Sequence, residues 1–352
     1  MKTYKHLYTQ IHSFQNLYGA YRKARKGGKR KHEPAAAFEL ELESNLIRLR
    51  DELRERTYCP GPYRHFYICE RKRRLISAAP FRDRVVHHSL CSVIEPLFER
   101  RFIHDSYACR KGKGTHRAVD RAQEFARRYR YLLQCDVRQF FPSVDHAILR
   151  QLLARVIADP DVLWLCDRIL ESGANVHEDE SEIQWFAGDD LLAALRPRGL
   201  PIGNQTSQFW ANVYLDPLDQ FIKRELKCRA YVRYCDDSLL FHDDKGPLWE
   251  WQAAIIERLA DFRLQLHQER ATVSRTHDGF PFLGFQVFPH YRRLRKENSK
   301  AYARRLRALA AAYQEGLVSF EQLQASVQAW VAHVSYAHSW RLRSRILGEI
   351  TF

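Results

Sequence analysis

The chain has 352 residues with 57 Lys or Arg against 42 Asp or Glu, which gives a formal net charge of +15 at pH 7. This length suffices for two or three subdomains with buried cores and is too short for a large multi-enzyme assembly. The basic residues recur in nearly every segment, which favours a polyanionic partner, although a charge excess that only maintains solubility gives the same pattern.

The cysteine pattern and the apolar runs predict the compartment. The eight cysteines form no Cys-x-x-Cys pair and have no His partner at zinc-ligand spacing, so we expect reduced, mostly buried thiols. Residues 1–15 lack the apolar core of a signal peptide, and no window reaches the length of a membrane span. The sequence therefore predicts a cytoplasmic protein without a membrane partner.

In the first third of the chain, residues 1–34 form a basic N-terminal extension that is either a solvated segment or a contact to a phosphate backbone. Apolar residues at helical spacing predict a helix over 38–56, followed by the turn Cys59-Pro60-Gly61-Pro62. Residues 63–79 are rich in β-branched and aromatic residues, interrupted by the basic run 71–74, and predict a hairpin with a basic tip or edge. Helical spacing returns over 82–98 and 116–130.

The middle of the chain begins with a buried strand over 131–137, and Asp145 can cap the helix that follows. Residues 171–190 are acidic and polar, and we interpret them as a surface insertion. The pattern then predicts a β-hairpin over 231–241, a helix over 249–264 and a strand over 282–288. From Ser299 onward it is helical.

The most specific feature is Tyr234-Cys235-Asp236-Asp237 with apolar residues on both sides. Adjacent carboxylates in a strand pair are costly without a positive partner. A tight turn between two strands would present Asp236 toward a metal, and Asp136, at the end of the apolar strand, is a candidate to complete the site. An ordinary Asx turn at Asp236-Asp237 is the alternative, because four-residue motifs occur by chance.

Carboxylate oxygens are the ligands that Mg²⁺ prefers, and we expect two Mg²⁺ ions, with Mn²⁺ able to substitute. Two such ions roughly 4 Å apart stabilise the attacking and leaving oxygens of an in-line phosphoryl transfer. The expected reaction is attack of a primer 3′-hydroxyl on the α-phosphate of a nucleotide.

Six blocks in order resemble the reverse transcriptases over about two thirds of the chain. They are Arg74-Leu75-Ile76 with Asp83-Arg84, residues 106–116 (SYACRKGKGTH), residues 136–141 (DVRQFF), residues 200–208 (LPIGNQTSQ), Tyr234-Cys235-Asp236-Asp237, and Phe282-Leu283-Gly284. The resemblance implies an α/β (α+β) right-hand polymerase. Its fingers would span 35–131, its ferredoxin-like palm 132–290 with an acidic insertion at 171–198, and its helical thumb 291–352.

The resemblance also implies roles for single residues. Asp136, Asp236 and Asp237 match the catalytic metal-binding carboxylates, with the Val137 carbonyl as a further ligand. Phe141 matches the aromatic gate that excludes a 2′-hydroxyl, which predicts dNTP use; a plain core aromatic is the alternative. The implied nucleotide-binding residues are Lys72, Arg74, Phe141, Ile202 and Gly203, and the implied template- and primer-binding residues are Gly112, Lys113, Gly114, Ser207, Gln208, Tyr234, Arg304 and Arg305.

Two positions depart from the common pattern. Where many reverse transcriptases have Gln-Gly, this chain has Ile202-Gly203, a form similar to that of diversity-generating retroelement reverse transcriptases. An aliphatic side chain there loses hydrogen-bonding reach, so we expect low fidelity. At the position that often supplies a Lys as proton donor to pyrophosphate the chain has Arg270, which hardly releases a proton at neutral pH, and His267 is an alternative donor.

The leading hypothesis is an RNA-directed DNA polymerase that copies a dedicated structured RNA in a diversity-generating retroelement. The resemblance extends to reverse transcriptases of group II introns and of bacterial antiviral defence systems. Because the defence enzymes share the core motifs, a reverse transcriptase of a defence system is the first alternative. A catalytically idle nucleic-acid-binding scaffold is the second. The expected partners are a non-coding template RNA, the cDNA product and dNTPs, with a small basic accessory protein or self-association also open. Gly112-Lys113-Gly114-Thr115 lacks the order and the preceding strand of a phosphate-binding loop, which excludes an ATPase.

Overall fold

The computed structural model describes residues 2–26, 33–69, 73–178 and 182–348. Its helices are α1 (Tyr8–Ile11), α2 (Phe14–Ala24), α3 (Glu33–Leu40), α4 (Leu42–Arg54), α5 (Phe81–Glu99), α6 (Thr115–Arg128), α7 (Phe140–Ser143), α8 (His146–Ala154), α9 (Pro160–Ser172), α10 (Gln205–Arg224), α11 (Lys245–Asp261), α12 (Lys296–Gln314), α13 (Phe320–Val334) and α14 (Trp340–Gly348). Its strands are β1 (Arg64–Cys69), β2 (Arg73–Ala78), β3 (Tyr131–Asp136), β4 (Tyr231–Tyr234), β5 (Asp237–His242), β6 (Thr272–Arg275), β7 (Phe280–Phe282), β8 (Phe285–Val287) and β9 (Arg292–Leu294).

The chain divides into two compact units. The first contains Met1–His104, Asp136–Lys227 and Ala253–Gln268, and the second contains Asp105–Cys135, Cys228–Gln252 and Glu269–Phe352. Helices and strands are mixed along the chain, so the predicted mixed fold class is confirmed. The boundaries of fingers, palm and thumb stay predictions.

The first unit is mainly helical. The N-terminal segment packs into it, since Leu17 and Tyr21 of α2 are buried and Asn16 donates to the Ser89 hydroxyl of α5 at 2.8 Å. Asp159 caps α9 and also accepts the backbone N–H of Leu7 at 2.6 Å. The described part of the predicted basic extension therefore belongs to a folded core, while residues 27–32 of its cationic run lie outside the described residues.

The strands β1 and β2 of the first unit pair antiparallel with Ile68 opposite Arg74, Phe66 opposite Ile76 and Arg64 opposite Ala78. Directly opposed residues share a face of a sheet. The hairpin predicted over 63–79 is confirmed. Of its predicted basic run, Arg71 and Lys72 lie outside the described residues, and Arg73 and Arg74 begin β2.

The second unit is built on a four-stranded sheet with the order β4-β5-β3-β6 and a three-stranded sheet with the order β7-β8-β9. Phenylalanines of the second sheet, Phe280, Phe282 and Phe285, are buried in one apolar cluster with α6 and with buried residues of α12, α13 and α14. The strand predicted over 282–288 is instead a hairpin, because Leu283 and Gly284 both have positive φ and reverse the chain. Among the described residues, no helix is long and apolar enough to cross a membrane.

Candidate active site

The aspartate motif forms the tight turn that the sequence predicts. Strand β4 ends at Tyr234, β5 begins at Asp237, and these two residues pair across the hairpin. Cys235 has φ 57°, and the two-residue turns that match strand twist both require a positive φ at their first central residue. Glycine usually takes that position, so a cysteine there stores backbone strain, which is typical of functional sites. The turn leaves Asp236 and Asp237 half-buried.

A buried arginine supports this turn from inside the second unit. Arg233 is 1% exposed, and its Nη1 donates to the Cys235 carbonyl oxygen at 3.0 Å. Its backbone pairs with Ser106 in a parallel bridge, so the 106–116 block is anchored beside the aspartate hairpin. Sequence reasoning missed Arg233, although a cation three positions before two adjacent carboxylates is a source of the positive charge that such carboxylates require.

The glycine-containing block of residues 106–116 forms a loop that is bonded to strand β4. The Gly114 N–H donates to the Tyr107 carbonyl at 3.0 Å, and the Thr115 hydroxyl donates to the Tyr234 hydroxyl at 3.1 Å. Gly112 and Gly114 have φ of 72° and 114°, conformations that favour glycine. Predicted template- and primer-binding residues from two separate blocks, Gly112 to Gly114 and Tyr234, thus lie in one arrangement within the second unit.

Burial keeps the thiol of the turn uncharged. Burial raises the pKa of Cys235 well above its usual value, and the neighbouring Asp236 carboxylate raises it further. Cys235 therefore fills the turn as a small neutral side chain. Of the seven cysteines whose side chains are described, none forms a disulfide, and Cys91, Cys135, Cys166 and Cys228 are buried, as predicted.

Asp136 is the last residue of β3 and is half-buried. Its carbonyl oxygen accepts the His267 N–H at 2.8 Å, and Val137 pairs with Leu266. His267, the alternative proton donor, is thus bonded through its backbone to Asp136 within the first unit. Across the described residues, no group of three or more His, Cys, Asp or Glu side chains is arranged to hold a metal ion.

The predicted nucleotide-binding block is assembled in the first unit. The Ser77 N–H donates to the Ile202 carbonyl at 3.0 Å, and the Leu200 N–H donates to the Phe141 carbonyl at 2.9 Å. Gly203 has φ 116°, and a Cβ built on it would lie 3.0 Å from Ile76 Cγ2. Successive residues of a strand point to opposite faces, so Arg74 and Ile76 share one face of β2 and Leu75 lies on the other. Arg74 is therefore on the face that contacts Gly203.

An asparagine that sequence reasoning missed braces this block. The Asn204 amide donates to the Ser77 carbonyl at 3.2 Å and accepts the Ala79 N–H at 3.4 Å. One side chain thereby fixes the Ile202-Gly203 loop against β2. The only signal in the sequence is an amide, a combined donor and acceptor, directly after a glycine.

The pair Asp83-Arg84 of the first block has a structural role. Asp83 is buried and accepts the Tyr58 hydroxyl and the Gly61 N–H, both at 2.8 Å. Burial raises the pKa of Asp83, while these two donors oppose the rise. Arg84 Nε donates to the Ala79 carbonyl at 2.8 Å, so this pair holds the turns before β1 and after β2.

The segment after Phe141 is fixed by a buried ion cluster. Asp145 caps α8 by accepting the Ile148 N–H at 3.1 Å, as predicted. Arg196 and Arg263 approach Asp189 at 2.8 and 2.6 Å, and each lies 3.7 Å from Asp145. The Asp189 side chain is only 3% exposed, so the acidic stretch that the sequence suggested as a surface insertion contributes a buried anion to the first unit.

The remaining predicted contacts lie on α10 and α12. Gln208 is exposed and Ser207 is buried within the first unit, so only Gln208 is accessible to a template there. In the second unit, Arg304 lines a groove of about 660 Å³. Arg305 is exposed outside that groove. The other cations of the groove are Arg293, Lys296, Lys300, Arg307 and Arg345.

An antiparallel hairpin with an aspartate turn, a glycine loop beside it and a separate glycine-asparagine block are typical of a nucleic-acid polymerase. Residues 67–287, well over half of the chain, match the family described as reverse transcriptase (RNA-dependent DNA polymerase). The chain belongs to the reverse transcriptase family, which confirms the predicted enzyme class, RNA-directed DNA polymerase.

Curated relatives carry the same family resemblance. The chain is 25% identical over 283 residues to Protein YkfC of Escherichia coli, covering 68% of this chain and 70% of that protein. It is 25% identical over 216 residues to the group II intron-encoded protein LtrA of Lactococcus lactis, covering 60% of this chain and 33% of LtrA. A match to nuclear intron maturase 1 of Arabidopsis thaliana is 32% identical and covers 26% of this chain and 13% of that protein. The chain thus spans about a third of LtrA.

Among solved structures, telomerase from Candida albicans in complex with a fragment of telomeric RNA aligns with a TM-score of 0.48 and 11% identity, covering 84% of this chain and 56% of that one. Telomerase from Candida tropicalis aligns with a TM-score of 0.49 and 10% identity, covering 70% and 59%.

Proposed function

We propose that this protein copies an RNA template into cDNA by two-metal nucleotidyl transfer at Asp136, Asp236 and Asp237. The observation that carries the proposal is the hairpin that places Asp236 in a strained two-residue turn and Asp237 at the start of β5. All three carboxylates are half-buried and reachable from solvent. Family membership supports the same chemistry.

These donors fit a hard divalent cation in chemical type, since carboxylate and carbonyl oxygens are the ligands of Mg²⁺. When bound, two such ions would activate the primer hydroxyl and stabilise the leaving pyrophosphate. The chain's own residues then position the substrate. Phe141 excludes a 2′-hydroxyl by its ring, and Arg74 offers a guanidinium fork to the triphosphate.

The test is metal-dependent dTMP incorporation on poly(rA)/oligo(dT) by Asp236→Asn. Metal-ligand interactions contribute several kcal/mol to the transition state, and each ~1.4 kcal/mol is tenfold in rate, so we expect a loss of about 10³-fold. Asp244→Asn is the matched control, because Asp244 follows the other end of β5 and is exposed. Equal incorporation by both variants would contradict the role of Asp236, and absence of incorporation by the wild type would favour the idle scaffold.

We further propose that the enzyme belongs to the diversity-generating type and has low fidelity. The support is Ile202, whose carbonyl is pinned by the Ser77 N–H while Gly203 packs on Ile76. A fixed backbone presents an aliphatic side chain that cannot hydrogen-bond a mispaired base. Ile202→Gln should lower misincorporation severalfold in primer extension, and Ile202→Leu should leave it unchanged. Equal error rates for wild type and Ile202→Gln would refute this assignment.

The RNA partner decides between the remaining settings. The names of LtrA and the maturases connect relatives of this chain with introns. Sequencing of RNA and cDNA that copurify with the protein distinguishes the cases: mutated adenines indicate diversification, intron sequences indicate an intron partner, and repetitive or untemplated cDNA indicates antiviral defence.

A further inference from the structure

Besides the basic groove that Arg304 lines in the second unit, a basic cavity lies in the first unit. None of the predicted site residues lines it. It has a volume of about 550 Å³ and lies where α5, α8, α10 and α11 end. We call it the arginine cleft. Its ionic lining consists of Arg100, Arg101, Arg155, Arg224 and Arg258 with Asp216 and Glu225. Five cations against two carboxylates leave the cleft positive.

Helix electrostatics explain part of this arrangement. Arg100 and Arg155 are the C-caps of α5 and α8, and Arg224 is the last residue of α10. A cation at a helix C-terminus is stabilised by the partial negative charge of that end. The helix ends therefore account for each arginine separately. They do not account for convergence on one cavity, where like charges repel. In the part of the chain that the structure describes, these three exposed guanidinium groups form no ion pair.

Arg258 is held in a fixed position at the cleft. Its Nη1 bonds Asp261 Oδ2 at 3.0 Å, and the rings of Phe221 and Phe262 flank its guanidinium at 5.4 Å each. These contacts hold the guanidinium in place while the side chain stays 35% exposed. A fixed and partly exposed guanidinium can bind an anion with little loss of side-chain entropy.

We propose that the arginine cleft binds the phosphodiester backbone of a folded RNA, apart from the primer-template contacts of the catalytic site. Guanidinium forks match phosphate oxygens in geometry and charge. The two carboxylates would repel a ligand made only of phosphates, but they can accept hydrogen bonds from 2′-hydroxyls. Glu225 is exposed at the cleft, whereas Asp216 already accepts the Gln220 amide at 3.0 Å. The proposal deepens the proposed function, because it assumes that the enzyme works on a structured RNA.

The experiment measures binding of a fluorescein-labelled RNA hairpin and a DNA hairpin of the same sequence to the full-length protein. The test variant is Arg155→Ala with Arg224→Ala. The matched control is Lys5→Ala with Arg48→Ala, which removes two exposed cations of the same unit that do not line the cleft. We expect the cleft variant to bind the RNA hairpin about tenfold more weakly. The slope of log K against log salt should fall by roughly one per lost phosphate contact.

Incorporation on saturating poly(rA)/oligo(dT) should be unchanged in the cleft variant, which separates this proposal from the catalytic one. Conversely, Asp236→Asn should bind the hairpin normally even where it cannot polymerise. Glu225→Ala, which removes the acceptor, should reduce the preference for the RNA hairpin over the DNA hairpin. Equal RNA binding by the cleft and control variants overturns the proposal. So does arginine-dependent binding of poly-glutamate without an effect on RNA, since the cleft would then fit an acidic protein segment.

Discussion

The buried ion cluster around Asp189 offers a direct test of how the acidic stretch supports the nucleotide block. Asp189→Asn removes the charge and keeps one carbonyl acceptor, leaving Arg196 and Arg263 with Asp145 at 3.7 Å as their nearest remaining cluster carboxylate. Truncating one partner of a buried ion pair costs about 3–5 kcal/mol. Because Arg196 and Arg263 are 22% and 31% exposed and can rehydrate, we expect about 2–3 kcal/mol here.

Hydrogen exchange by mass spectrometry measures this loss locally in the native protein. A loss of about 2–3 kcal/mol corresponds to a roughly 30- to 150-fold fall in protection, because 1.36 kcal/mol is tenfold. We expect the fall in peptides that cover 140–146 and 184–198. Glu182→Gln is the matched control, since Glu182 lies in the same stretch, is 75% exposed and pairs with Arg138 at the surface. Equal protection in the two variants, or a fall spread evenly over the chain, would refute the buried-cluster reasoning.

Two further predictions concern buried groups of the first unit. Burial, with His88 and Arg84 nearby, lowers the pKa of His87 to about 3. On acidification His87 is therefore protonated in the unfolded chain at a higher pH than in the folded protein. The stability that comes from a neutral His87 is fully present above pH 6.5 and is lost as pH falls toward 3, by about 2 kcal/mol between pH 7 and 5. The urea midpoint of His87→Gln should therefore depend less steeply on pH than that of the wild type. Parallel pH profiles of the two proteins would contradict the prediction. Gly203→Ala forces a Cβ to 3.0 Å from Ile76 at φ 116° and should cost about 1–3 kcal/mol while raising the KM for dNTP. Gly246→Ala, where a Cβ meets nothing within 4 Å, should do neither, and equal behaviour of the two variants would count against a strained loop.

Local chemistry made several elements predictable. Adjacent aspartates between apolar runs require a turn, and the hairpin places its turn at Cys235-Asp236. Asp145 caps α8 because a carboxylate before an apolar-periodic run satisfies free N–H groups at a helix start. Family motifs depend on such short strings, so membership was predictable as well, and the comparison confirms it.

Residues that support the site were not predictable, because their partners lie far away along the chain. Asn204 bonds Ser77, which lies 127 positions away in the sequence, and Arg263 bonds Asp189, which lies 74 positions away. A local pattern reports the side of a helix or strand that a residue occupies, but not which distant backbone meets it. The acidic stretch shows the consequence, since its charge suggested a solvated surface and its Asp189 is buried.

The sequence by itself determined the family, the mixed fold class and the carboxylates of the candidate site, because these follow from short motifs and from the periodicity of apolar residues. Only the tertiary structure decided that Arg233 is buried behind the aspartate turn, that Asn204 fixes the Ile202-Gly203 loop, and that arginines from separate helix ends converge on one cleft. The physical reason is that burial and like-charge convergence depend on the packing of segments distant in sequence, which no local pattern encodes.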